Sequence, residues 1–241
     1  MRLDVFLTEK GFTISRTEAK NFITSGAVKI CGTVITKPSY DVNEDESEVL
    51  IDRSFKKYVS RGGYKLEGAL LEFNLDVKGR LAIDIGASSG GFTDCLLQNG
   101  ASHVICVDSG SGQLSEILRN DKRVTSIENY NARYMRSEDF DYVPNIAVMD
   151  VSFISATYII PSVYNILSNN SDFICLIKPQ FEVGKSGIGK GGIVKNEKIR
   201  QSAVDKVTEF AKSIGFEVVK VVKSSIEGGD GNIEYLVHLR K

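Results

Sequence analysis

"AIDIGASSGGFTDCLLQNG", residues 82–100, runs apolar to Ile85, turns through Gly86, Ala87, Ser88, Ser89, Gly90 and Gly91, and resumes with helical spacing. An apolar run of strand length, a glycine-rich turn and a periodic segment predict a strand–turn–helix unit. Working outward, "SHVICVDSG", "RVTSIEN", "NIAVMDVS", "SDFICLIKP", "FEVVKVV" and "IEYLVHL" recur with helical patterns between them. This alternation predicts an α/β fold, a mainly parallel sheet with helices on both faces. Ligands of such sheets collect beyond the carboxyl ends of the strands.

Asp84 ends the first strand of this unit and Asp108 ends the next. Glycines at the turn would let a ligand approach the backbone, and Asp108 stands where an acid can take ribose hydroxyls. The turn lacks the G-x-G-x-x-G rhythm of a nicotinamide site. Instead, Asp84 followed by "IGASSGG" resembles the S-adenosylmethionine turn of class I methyltransferases. The resemblance implies a Rossmann-like sheet that binds S-adenosylmethionine through Asp84, Gly86, Ala87, Ser88, Ser89, Gly90, Gly91 and Asp108.

The 241 residues carry 30 Lys and Arg against 31 Asp and Glu, a net charge of −1. That balance argues against a wholly basic nucleic-acid binder but allows a local basic face. Four cysteines, Cys31, Cys95, Cys106 and Cys175, lie far apart, as reduced core residues of a cytoplasmic protein would. With His103 and His238 the only histidines, and no close Cys or His cluster, no metal site is expected. Acids at Asp4 and Glu9 interrupt any signal-like segment, and no apolar run approaches the ~18 residues of a membrane span.

A second glycine-rich stretch, "GKSGIGKGG", residues 184–192, fits a phosphate loop at Gly184, Gly189 and Lys190. It fails at the hydroxyl position, which is Gly191. That hydroxyl would hold magnesium, so what remains is a positively charged loop in which Lys185 and Lys190 can face RNA phosphate.

At the front, Leu3, Phe6 and Leu7 have helical spacing with Gly11 as a stop. "ISRTEAKNFITSG" pairs Ser15 with Glu18 as a capping box and predicts a helix from about Arg16 to Ser25, ended by Gly26. "AVKICGTVITKPS" and "SEVLID" alternate as short strands. This helix, helix, small sheet order over residues 1–52 resembles the S-four-type RNA-binding domain. The resemblance implies an α+β domain that lays Arg2, Arg16, Lys20 and Lys29 on structured RNA. The following "RSFKKYVSRGGYK" is basic and free of acids. It reads as a linker over 53–61, with Lys56, Lys57 and Arg61 continuing the RNA track, before a catalytic domain over 62–241.

Asp150 closes "AVMD" and Lys178 closes "ICLIK", two residues that emerge at the cofactor edge if their strands are neighbours. Glu234 precedes the last strand, and Lys65 sits on a helix whose apolar stripe is Leu66, Ala69, Leu70 and Phe73. The order Lys65, Asp150, Lys178, Glu234 resembles the tetrad of FtsJ-like ribose methyltransferases. It implies an antiparallel last strand that sets Glu234 opposite Lys178.

With "SRGGYKL", "DIGASSGGFTD", "DVSFIS", "LIKPQFE" and "GKGGIV" in series, the chain resembles the TlyA family along its full length. That family carries two names, haemolysin and rRNA (cytidine-2′-O)-methyltransferase. The implied activity is S-adenosylmethionine-dependent methylation of a ribose 2′-hydroxyl in ribosomal RNA or ribosomal subunits, with no metal and no membrane. The residues leave open the nucleotide, the subunit, the oligomeric state and whether Lys178 is base or stabiliser. A non-catalytic RNA-binding assembly factor would need only the front domain, and a haemolysin would need a membrane-inserting segment that the sequence does not display.

Overall fold

The computed structural model describes residues 1–43, 48–52, 57–184 and 187–241. The chain divides into two compact units, Met1–Lys57 and Tyr58–Lys241. Of the residues expected as a linker, 53–56 lie outside the described residues. Tyr58 is only 1% exposed and Val59 donates its amide to Asp94 Oδ2 at 2.8 Å, so the chain from Tyr58 onward is packed into the second unit.

In the first unit, helices α1 (Leu3–Glu9) and α2 (Arg16–Thr24) precede strands β1 (Val28–Ile30), β2 (Thr33–Val34) and β3 (Val49–Ile51). The strands form an antiparallel sheet in the order β2-β1-β3. Its core joins Leu3, Phe6 and Leu7 to Ala19, Phe22, Ile23, Val28 and Ile30. Ser15 Oγ accepts the Glu18 amide at 3.2 Å, as the capping pattern predicts. Glu18 Oε2 accepts the Ile14 amide at 2.9 Å, one residue before the position that a capping box uses.

The second unit is built on helices α3 (Gly62–Phe73), α4 (Gly91–Gln98), α5 (Glu116–Arg119), α6 (Ile160–Ile166), α7 (Pro179–Glu182) and α8 (Glu197–Ile214). Its strands are β4 (Leu81–Ile85), β5 (His103–Val107), β6 (Val124–Ile127), β7 (Ile146–Met149), β8 (Asp172–Ile177), β9 (Glu217–Lys223) and β10 (Tyr235–Arg240). These make one sheet in the order β6-β5-β4-β7-β8-β10-β9. The pairs from β6 to β8 are parallel, and β10 runs antiparallel to both β8 and β9.

Side chains alternate across a strand, and the two cores follow that period. Ile83, Ile85, Ala147, Met149 and Cys175 pack with Ile160, Val163, Val204 and Val207. Ala82, Val104, Val148 and Ile174 pack with Leu66, Ala69, Phe92 and Leu96 on the other face. Cys95, Cys106 and Cys175 are buried as expected of core cysteines, whereas Cys31 is exposed. It occupies the tight turn between β1 and β2, at φ 47°. The switch in strand order leaves the carboxyl ends of β4, β5, β7 and β8 on one edge, and the site is built there.

Candidate active site

The turn after β4 is shaped by buried hydrogen bonds. Asp84 lies on the α4 face of its strand with no exposed surface, and its Oδ2 accepts both Thr93 N at 2.9 Å and Thr93 Oγ1 at 2.6 Å. Oδ1 has no hydrogen-bond partner. Burial dominates its titration: desolvation raises the carboxyl to about 7, against the pull of the Thr93 hydroxyl. Asp84 therefore clasps the start of α4 to the end of β4.

The turn glycines serve the protein's own packing. A Cβ on Gly86 would stand 2.5 Å from the Asp150 carbonyl oxygen, and one on Gly90 would strike Leu118 and Leu114. Both residues also have positive φ, which only glycine adopts without strain. Along the turn Ser88 is exposed and Gly86 and Ser89 are half-buried, while Ala87, Gly90 and Gly91 are buried. Asp108 is held on both oxygens, Oδ2 by Ser88 N and Oδ1 by Gly110 N, each at 2.7 Å. Each oxygen keeps a second lone pair.

These donors and acceptors fit S-adenosylmethionine. The half-buried, acceptor-only carboxylate of Asp108 suits ribose hydroxyls. Asp84, wholly buried, acts on the turn through Thr93.

Next to the turn, four residues from four elements form a compact charge cluster. Lys178 Nζ lies 2.6 Å from Asp150 Oδ1, and Lys65 Nζ lies 2.6 Å from Glu234 Oε2 and 3.8 Å from Asp150 Oδ2. Lys65 follows the stripe of α3, which buries Leu66, Ala69 and Leu70. Tyr235 pairs with Ile177 in the sheet, so Glu234 and Lys178 do come opposite one another in register. Their side chains diverge, however: Glu234 pairs with Lys65 and Lys178 with Asp150. The expected placement of Glu234 opposite Lys178 holds in register, and Glu234, 2% exposed, takes Lys65 as its counter-charge.

The remaining sites expected for RNA are dispersed. Arg2 Nε and Arg16 Nη2 both reach the buried Asp4 at 2.9 Å, with about half of each arginine side chain exposed. Burial opposes the Asp4 charge, but hydrogen bonds from Arg2 and Arg16 outweigh it and hold the carboxyl at about 2. Lys20, Lys29 and Lys57 are exposed on the first unit, and Lys190 is exposed on the second. Arg61 Nη2 donates to Glu227 O at 3.4 Å. Lys56 and Lys185 lie outside the described residues. Helix α7 separates β8 from the 184–192 stretch, whereas a phosphate loop leaves its strand directly.

Three neighbours escaped the sequence reading. Ser152 Oγ accepts from Lys178 Nζ at 2.8 Å. Phe153, at φ 63° and 90% exposed, has its ring centroid 5.2 Å from that of Phe181. Glu182 accepts Ala156 N at 2.7 Å, Ser155 Oγ at 2.5 Å and Lys206 Nζ at 3.1 Å, tying the loop after Asp150 to the helix after Lys178. "DVSFIS" held a signal for Ser152, two residues beyond Asp150, but a positive φ at a phenylalanine has none.

Residues 58–241 match the family model of the FtsJ-like methyltransferases, and residues 1–47 match that of the S4 domain. Hemolysin A of Brachyspira hyodysenteriae is 41% identical over 239 residues, covering 99% of this chain and 99% of the relative. The 16S/23S rRNA (cytidine-2′-O)-methyltransferase TlyA of Mycobacterium tuberculosis is 40% identical over 239 residues, 99% of this chain and 89% of the relative. Among solved structures, a candidate hemolysin from Streptococcus thermophilus aligns with a TM-score of 0.78 at 44% identity, covering 100% of this chain and 88% of the other. Among the described residues, no helix is long and apolar enough to cross a membrane.

Proposed function

This chain belongs to the FtsJ-like methyltransferase family, and from that premise we propose that it methylates the 2′-hydroxyl of a cytidine ribose in ribosomal RNA. The observation that carries the reading is the Lys65–Glu234, Lys178–Asp150 cluster at the carboxyl edge of the sheet, beside the glycine turn. When bound, S-adenosylmethionine supplies an activated methyl group on a sulfonium. Asp108 would hold its ribose, and Gly86, Ser88 and Ser89 would receive it along the turn.

The task left to the protein is the ribose hydroxyl, a poor nucleophile at neutral pH. Lys178 has three donors; Ser152 engages one, Asp150 pairs with its charge at 2.6 Å, and a donor remains for the 2′-oxygen. Lys178 acts at the 2′-oxygen either as an ammonium that stabilises the developing alkoxide while the proton passes to water, or as the neutral amine that takes that proton. Asp150 orients Lys178, while Glu234 and Lys65 balance the local charge and keep Asp150 in place. The open ring of Phe153 offers a face on which the target base can stack. Arg2, Arg16, Lys20 and Lys29 of the S4 domain, with Lys57, Arg61 and Lys190, would bind RNA phosphate, and Lys56 and Lys185 are assigned to the same role from sequence alone.

Radiolabelled methyl transfer to bare rRNA and to assembled subunits tests the proposal. Incorporation at a ribose 2′-oxygen is the expected result. RNA binding without any transfer would leave an assembly factor.

A further inference from the structure

Glu234 sits at the end of a turn that also holds a buried amide side chain. Asn232, 1% exposed, accepts Val194 N on Oδ1 at 2.9 Å and donates from Nδ2 to Gly192 O at 3.0 Å. Both partners belong to the base of the glycine-rich loop. Its own carbonyl accepts Gly228 N at 2.9 Å. A Cβ on Gly228 would stand 2.6 Å from Glu234 Oε1, so the carboxyl of Glu234 lies directly against this turn. A single buried amide therefore joins two chain segments, one leading into the loop that carries Lys190 and the other ending at Glu234.

We infer that Asn232 is a positioning residue that couples the glycine-rich loop to Glu234, and through Glu234 to Lys65. The inference rests on the methyltransferase reading above. The physical reason is the completeness of the joint: each half of the amide has one backbone partner on the loop. Displacing the loop by one hydrogen-bond length leaves a buried polar group unsatisfied unless the Glu234 turn moves too. RNA that seats the loop would thereby also seat the Lys65–Glu234 pair.

The test uses the full chain with Asn232→Ala and Glu234→Gln, singly and together. Asn232→Ala should lower kcat on rRNA by about a hundredfold, the cost that a displacement of about 1 Å at the reacting groups can carry. S-adenosylmethionine affinity should not change. In the Glu234→Gln background the same substitution should cost less than about twofold, because residues acting through one another are non-additive. An equal fold-loss in both backgrounds would overturn the coupling.

A readout without turnover separates this proposal from the functional one. Should the wild-type chain transfer no methyl group to any RNA, the functional reading falls and the joint is judged by carboxyl-carbon NMR and amide exchange. Asn232→Ala should speed exchange at Val194 and shift the Glu234 carboxyl resonance. A Glu234 resonance that stays put while Val194 exchanges freely would overturn it. If Asn232→Ala does not fold, Asn232→Asp takes its place, since it keeps the acceptor for Val194 N and loses the donor to Gly192 O.

Discussion

Lys65 Nζ stands 2.6 Å from Glu234 Oε2 with both side chains under one-tenth exposed, an ion pair set behind the Lys178–Asp150 pair. Breaking a buried pair from one side leaves an uncompensated charge. Lys65→Met should therefore cost about 3–5 kcal/mol. Adding Glu234→Gln removes the stranded charge and should recover part of that loss. Denaturant unfolding of the single and double variants checks this; a double variant no more stable than Lys65→Met would contradict it.

Lys178→Ala should nearly abolish methyl transfer while leaving S-adenosylmethionine affinity within a few fold of wild type, because the lysine acts on the hydroxyl. Single-turnover transfer together with calorimetric titration of the cofactor separates the two effects. Near-normal turnover would remove Lys178 from the proposed mechanism.

The pH dependence of folding should carry the mark of Asp84. Its carboxyl is raised from 3.8 to about 7 in the folded chain, chiefly by burial. The folded state then holds the proton more tightly than the unfolded one. The resulting stabilisation is fully present below pH 3.8 and is lost as pH rises through about 7. Asp84→Asn, which keeps an acceptor for Thr93, should flatten this part of the stability profile between about pH 4 and 7. A slope unchanged in the variant would assign the effect to other groups.

Asp4 gives the first unit a prediction opposite to simple charge counting. Removing an acid from a basic surface should tighten RNA binding if only net charge matters. Because Asp4 holds both Arg2 and Arg16, Asp4→Asn should instead weaken binding and flatten its salt dependence by about one unit for each phosphate that the arginines no longer neutralise. Anisotropy titrations of an rRNA fragment across salt concentrations decide between them.

For the 184–192 stretch, no magnesium-dependent binding of ATP or GTP is expected. Lys190→Ala should weaken RNA binding and spare S-adenosylmethionine affinity. Titration with a fluorescent ATP analogue gives the contrary result its chance: saturable binding abolished in Lys190→Ala would restore a phosphate loop.

The strands of the large unit were legible because their signal is local. Side chains alternate faces with a period of two, so Ile83 and Ile85 part from Ala82 and Asp84 whatever the rest of the chain does. Glycine and capping signals marked the ends of α1 and α2 for the same reason: they act through the backbone of a few adjacent residues. Asp150 and Lys178 could be placed on the site edge because each closes a strand of the parallel sheet. Their identification as members of one cluster came from the resemblance.

What tertiary structure alone decided is which side chains meet. The register of β10 on β8 puts Glu234 opposite Lys178, yet burial turns its carboxyl to Lys65, and no pattern within either segment encodes that choice. The turn glycines follow the same logic: Gly86 must lack a Cβ because the Asp150 carbonyl arrives from another strand. Asn232 and Glu182 read as ordinary polar residues until the chain segments that they join are brought together. Sequence by itself determined the strands, the turn and the order of the charged residues, since these depend on neighbours along the chain. Ion-pair choice, desolvation of Asp84 and the joint at Asn232 depend on neighbours in space, and only the packed fold supplies them.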